Sequence, residues 1–389
     1  MAPRDHERVW EAALRAPFRL VFLPLRLVAM GLESGVAYIG PRYLDPAPTP
    51  QPRKGPVLSA ALTLGAMNEI GIGPAVRWHG FPVAAGDLQA AGTWSLDDRR
   101  RVTLGETMWS QRPVGLELTG GYDHVPNRNY FGVGNDAPLE RDSHYLLSSR
   151  SSQLALRVGR SPLRQFRLLG GYSSLAPGHA YNGSPSVEDE FAPSEAPYLS
   201  QRTEAVWYGA SASLAALDDG LDPSLGVHIL GEGRRGMGVQ GWDPDYVQWR
   251  LDGRAYLPVF AKRRVIAARA VFAGIGASGG LATALPYYRL AESEGVNRFA
   301  GYTTGRFRDR QLLLGRIEYR WAVLYRMSAL AFYERSEVAP RTGVFRLADA
   351  HAAWGAGLRL ARREDVAIRT ELGKSAEGFR VSLLLRSDF

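Results

Sequence analysis

The chain has 389 residues, 45% apolar and 22% charged, with 43 glycines and no cysteine. This composition excludes a disordered chain, and the missing thiol excludes a disulfide framework, a thiolate zinc site and a cysteine nucleophile. The formal charge of +8 rests on 47 basic residues, of which only Lys54, Lys262 and Lys374 are lysine, scattered along the chain; without clustering there is no nucleic-acid footprint, and no nucleic-acid partner is expected.

No run approaches the ~18 uninterrupted apolar residues of a transmembrane helix. The most apolar region, 20–32, is broken by Arg26, and Arg15, Arg19 and Arg26 also make the N-terminus a poor signal peptide. Trp10, Leu14, Phe18 and Val21 recur at helical spacing opposite Glu11, Arg15 and Arg19, before Pro24. The spacing predicts a short amphipathic helix that lies on the inner leaflet or packs in a barrel mouth, with an uncleaved targeting remnant as the alternative. The proline-rich stretch 46–56, PAPTPQPRKGP, reads as an extended linker.

From about residue 56 the apolar period changes to two and stays there to the end. Strands are predicted near 56–64, 70–79, 83–95, 101–110, 114–123, 143–159, 164–175, 204–217, 224–235, 245–259, 264–277, 311–324, 326–338, 350–361, 364–373 and 378–389. From the fifth strand on, the connections alternate: 124–142 is long and 160–163 short, 176–203 long and 218–223 short, 236–244 long and 260–263 short. The fourth long connection, 278–310, is followed by a tight turn near Leu324, and 339–349 by a turn near Arg362. Long loops on one rim and short turns on the other predict an all-β, transmembrane antiparallel up-and-down barrel of about 16 strands, with both chain ends in the periplasm. Residues 1–55 then form an N-terminal periplasmic segment and 56–389 the outer-membrane barrel.

Residues 246–259, YVQWRLDGRAYLPV, show why lipid is the expected surrounding. Arg250, Asp252 and Arg254 share one parity with Tyr246 and Tyr256, while Val247, Trp249, Leu251, Leu257 and Val259 share the other. A barrel in hydrocarbon needs this alternation, apolar side chains outward and polar ones toward a wet lumen. The same holds for 311–324, where Arg316, Glu318 and Arg320 oppose Leu313, Ile317, Trp321 and Val323. A β-sandwich also alternates, but strands of 12 to 15 residues exceed the five or six usual in globular sheets.

Residues 298–320, RFAGYTTGRFRDRQLLLGRIEYR, resemble the sixth outer loop and following strand of the BamA/TamA-like surface-antigen barrels of the bacterial outer membrane. Phe299, Ala300, Gly301 and Tyr302 stand at the family's loop tip, with Ala300 where the family has an arginine. The resemblance implies a loop that returns into the lumen and is clamped there, with Arg298, Arg306 or Arg308 as the substitute cation and Glu318 and Glu334 as acceptors; a confined guanidinium needs such carboxylates. NRNYFGVGNDAP at 127–138 and the C-terminal strand are similar to the family too. Phe379, Val381, Leu383, Leu385 and Phe389 share one parity, and Leu383, Leu385 and the terminal Phe389 match the family's assembly signal. The resemblance covers the barrel alone, and residues 1–55 leave no room for the transport-associated modules that usually precede it.

Chemistry is not the expected function. Gly274, Gly276 and Gly279 match a dinucleotide-binding spacing, but at a strand end with Pro286 against the helix it requires. The seven histidines show no metal spacing, no Ser–His pair stands out, and Glu188, Asp189 and Glu190 read as a solvated acidic loop. No catalytic residue, metal or cofactor is expected. The expected role is insertion or transport of protein or lipid at the outer membrane, with a passive anion-preferring channel or structural barrel as the alternative. Expected partners are outer-membrane lipid and lipopolysaccharide, with client outer-membrane proteins or a separate periplasmic protein beside them.

Overall fold

The computed structural model describes residues 55–63, 71–83, 85–110, 112–181, 183–220, 222–259, 261–280, 284–293, 299–323, 327–346, 348–361 and 367–385. The predicted N-terminal helix and all but the last two residues of the linker, together with Arg298 and Phe389, lie outside them.

Eighteen strands follow in chain order: β1 Gly55–Thr63, β2 Gly71–His79, β3 Gly86–Ser95, β4 Arg100–Met108, β5 Val114–Tyr130, β6 Ser143–Ser161, β7 Arg164–His179, β8 Thr203–Leu217, β9 Gly226–Gly238, β10 Tyr246–Val259, β11 Ala261–Ala277, β12 Ala291–Glu292, β13 Arg308–Asp309, β14 Gln311–Ala322, β15 Met327–Ala339, β16 His351–Ala361, β17 Ala367–Ser375 and β18 Gly378–Leu385. β12 and β13 form a small ribbon, and the other 16 form one antiparallel sheet in which every strand pairs with its sequence neighbours. A sandwich would divide these strands between two sheets; the fold is the up-and-down barrel. Among the described residues β1 pairs with β2 alone and β18 with β17 alone, so no ladder joins the first strand to the last.

Alternation sets which face is which. On β10, Val247, Leu251 and Leu257 are exposed, while Tyr246, Asp252 and Tyr256 are buried. β8 does the same, with Val206 and Tyr208 outward and Ala205, Trp207, Ser211 and Ser213 inward. The exposed apolar side chains recur around the sheet, from Ile72 and Leu104 through Leu168 and Ile229 to Ile317, Trp354 and Phe379. The inner surface holds most of the buried charge.

Three features depart from the sequence reading. β5 runs to Tyr130, through a stretch that Pro126 and Asn127 mark as loop. The ladder with β6 shifts register between Val125 and Arg128, so the proline occupies an irregularity where no ladder donor is needed. β7 extends past Pro177 for a related reason: its pairing with β8 ends at Leu175, and beyond that point only β6 adjoins it. The alternation of connections fails where the β8–β9 turn spans 218–225 and the β9–β10 loop only 239–245, and again at the β17–β18 turn, 376–377, on the rim of the long loops. Asp218 holds the longer turn together by accepting hydrogen bonds from the Ser224 and Leu225 amides.

Candidate functional site: the 278–310 loop inside the barrel

The connection from β11 to β14 folds back on itself. Glu292 and Arg308 face each other in the β12–β13 ribbon, and the segment between them carries the Phe299–Tyr302 tip. All four tip residues are buried. They rest on the inner face of β15, β16 and β17, where Ala300 packs against Leu330 and Phe332. Phe299 and Tyr302 stack at 4.6 Å and join Phe307, Leu312, Leu314 and Ala353 in an apolar cluster.

Gly301 is required at the tip on two counts. Its φ of +81° lies in the left-handed region, and a Cβ there would stand 3.1–3.3 Å from the Lys374 backbone, Ser375 and Ala353. On the barrel side, a Cβ on Gly373 would come within 2.6 Å of the Gly301 nitrogen. Two glycines therefore let backbone lie on backbone, and Ser375 Oγ closes the contact by donating to the Gly301 carbonyl at 2.6 Å.

The ends of the loop are held by charge. Arg308 is fully buried and pairs with Glu292 at 2.6 Å, while donating to the Tyr145 hydroxyl and to the Asn129 and Tyr287 carbonyls. Glu292 also pairs with Arg128 of β5. Arg306 meets Glu377, in the β17–β18 turn, at 2.6 Å and lies over the Phe131 and Phe307 rings.

The 127–138 segment proves to be the loop's principal neighbour. Asn129 donates to the Thr304 carbonyl and the Gly134 amide donates to the Arg308 carbonyl, while Asn135 ties the segment to the wall by accepting from the Val338 amide of β15. The sequence marks this segment as family-like, but nothing local in it says what it touches.

Beneath the tip lies a network of guanidinium and carboxylate groups. Arg316 meets Glu318 at 2.7 Å, Glu334 at 2.8 Å, and Glu371; Arg320 meets Glu318 at 2.8 Å; and Arg369 meets both Glu318 and Glu371. Three arginines thus balance three glutamates, with every side chain at most 7% exposed. Arg316 of β14 and Glu371 of β17 belong to strands three places apart in the barrel wall, with β15 and β16 between them. They meet because Gly355 and Gly357 leave the intervening stretch of β16 without side chains, so that Phe332 folds over the first and Glu371 over the second.

This corrects the expected clamp. Glu318 and Glu334 are engaged by Arg316, Arg320 and Arg369 of the barrel wall, whereas Arg306 and Arg308 of the loop meet Glu377 and Glu292. With alanine at position 300 the tip brings no charge to the wall, and the wall supplies its own cations. Arg369 and Glu371 were missed by sequence reasoning, although the signal was present: they share a parity with Gly373 and Ser375, opposite the exposed Ile368 and Leu372.

Arg250 and Arg254 converge on Asp252 at 2.7 and 3.2 Å, and Arg269 of β11 joins them at 2.8 Å. On the C-terminal strand Phe379 and Val381 are exposed and Leu383 is half-buried. Gly274 and Gly276 lie within β11, where a Cβ on Gly274 would strike Trp249 and Gln311, so packing accounts for its small size. Glu188 and Asp189 engage Ser200 and His179.

The 16-stranded barrel with a loop packed into its lumen is a fold that solved structures share, and three of them are similar to this chain. BamA from Haemophilus ducreyi lacking POTRA domains 1–3 aligns with a TM-score of 0.63 at 13% identity, over 85% of this chain and 70% of that one. CdiB from Acinetobacter baumannii aligns at 0.54 with 12% identity, over 85% and 59%, and CdiB from Escherichia coli at 0.52 with 12% identity, over 84% and 62%. The chain therefore spans about three-fifths of the CdiB lengths, and at such identities the likeness is one of fold. No family profile and no curated protein matches the sequence.

Proposed function

We propose that this chain resides in the bacterial outer membrane and acts there in the insertion or transport of protein or lipid, as a mechanical device without catalytic chemistry. The observation that carries the reading is the Phe299–Tyr302 tip seated on the inner face of β15 to β17, which places a folded loop inside the lumen. A loop in that place opposes the passive-channel alternative. The β1 and β18 edges supply the second element. A bare strand edge in hydrocarbon costs several kcal/mol per orphan group, so an incoming strand finds its partner there. Client barrels and a periplasmic partner follow from this reading.

Reconstitution tests it. Liposomes carrying the full chain should speed the folding of an added unfolded outer-membrane barrel several-fold over empty liposomes, and planar bilayers should show small, irregular openings. Unchanged folding rates together with one steady, anion-preferring conductance would overturn the proposal in favour of the channel.

A further inference from the structure

Between the β4–β5 wall and the β9–β11 wall, beside the β12 end of the inserted loop, lies a cavity of about 540 Å³. Arg99, Arg101, Arg128, Arg234, Arg250 and Arg289 line it, against Asp123, Glu232 and Glu292. The carboxylates are already shared. Asp123 Oδ2 meets Arg101 at 2.7 Å and Arg99 at 3.6 Å, and Glu292 serves both Arg128 and Arg308. Glu232 pairs with Arg234 at 2.6 Å. Behind the lining, Arg250 shares the single Asp252 carboxylate with Arg254 and Arg269.

Arg289 departs furthest from balance. It donates to the hydroxyls of Thr203 and Tyr246 at 3.3 and 3.2 Å and lies over the Tyr246 ring. Its Nη2 and the Nε of Arg250 are buried without a hydrogen-bond acceptor. Buried donors left unmet are costly, and a cationic concavity with low-dielectric walls concentrates anions. The volume falls within the range of small-molecule sites, and guanidinium forks match the oxygens of a tetrahedral anion better than they match a halide.

We infer that this cavity binds a phosphate-class anion, a phosphomonoester group or inorganic phosphate, between the arginines of the two walls and Arg289 of the inserted loop. The site has contributions from both the wall and the loop, so occupancy also ties the loop's base to β10. The inference holds whether or not the barrel handles protein clients, because binding is measured without them.

The test titrates the full chain in zwitterionic detergent with inorganic phosphate by calorimetry, at fixed ionic strength set with chloride. A second arm uses a short-chain phosphatidic acid, to separate a lipid headgroup from the free ion as the source. Saturable binding in either arm is expected, weakened about tenfold or more in Arg250→Gln and in Arg289→Gln and restored in part by Arg250→Lys. Arg77→Gln, which removes a half-exposed pair with Asp87 on β2 and β3, should leave it unchanged. Arg289 lies outside the Asp252 cluster, so its variant is informative even if Arg250→Gln fails to fold. No saturable binding in either arm, or equal binding by the parent and Arg289→Gln, would overturn the inference.

Discussion

Two charged clusters share the lumen and are built on opposite principles. Under the loop tip, Arg316, Arg320 and Arg369 meet Glu318, Glu334 and Glu371 in equal number, and all six side chains are buried. On β10 and β11 three arginines divide one aspartate, and Arg250 opens onto the cavity. A dry site tolerates only a balanced set, because each unpaired ion carries several kcal/mol of desolvation penalty. Excess charge persists only where solvent or a counterion reaches it. Balance therefore marks the cluster that supports the loop, and imbalance the one open to ligand.

Removing one carboxylate from each cluster tests the distinction. Glu318→Gln removes the carboxylate that three buried guanidiniums share and should cost about 3–5 kcal/mol, seen as a large drop in the temperature at which the folded band disappears in electrophoresis. Asp252→Asn should cost less, about 1–3 kcal/mol by the same assay, because Arg250 and Arg254 keep some solvent, and it should tighten phosphate binding. A smaller Glu318 effect than Asp252 effect would reverse the assignment. Gly301→Ala probes the uncharged contact above the balanced cluster. It should cost about 1–2 kcal/mol for the left-handed backbone, and should raise protease cleavage in 299–307 while leaving the network below intact.

The smallest effect lies on the rim, outside both clusters. Arg141, hydrogen-bonded to Glu195, holds that carboxyl down at about 2 from its ordinary 4.5. A depressed folded-state value means that the link is fully present above pH 4.5 and is lost as pH falls through about 2. Spin labels at Glu140 and Ser194 should report separation of the two loops across that window, and Glu195→Gln should abolish the step.

Much of the wall was legible because period-two alternation is local. Arg250, Asp252 and Arg254 declare their face within five residues, and the ends of β10 come within one residue of expectation. The ends of β5 and β7 were not legible, since Pro126 and Pro177 are loop signals unless the neighbouring ladder is known to be irregular or absent. Ion-pair partners were least legible. Arg316 and Glu371 are 55 positions apart, and Arg128 and Glu292 are 164 apart. Such partners are set by the register of intervening strands and by where β16 lacks side chains, neither of which a local pattern contains. The tip could be found by resemblance, whereas its Gly373 seat could not.

The wall is also uneven in height. Among the described residues, β5, β6 and β11 have 17, 19 and 17 residues, whereas β1, β17 and β18 have 9, 9 and 8. A tilted strand needs about 9–11 residues to cross the hydrocarbon layer, so the low side only just spans it. Lipid tails beside β1 and β18 must splay or shorten to meet the rim, at a fraction of a kcal/mol per ångström of mismatch. A wall of this profile would pinch the bilayer along one flank of the molecule and leave it relaxed along the other, giving the molecule a preferred direction in the plane of the membrane.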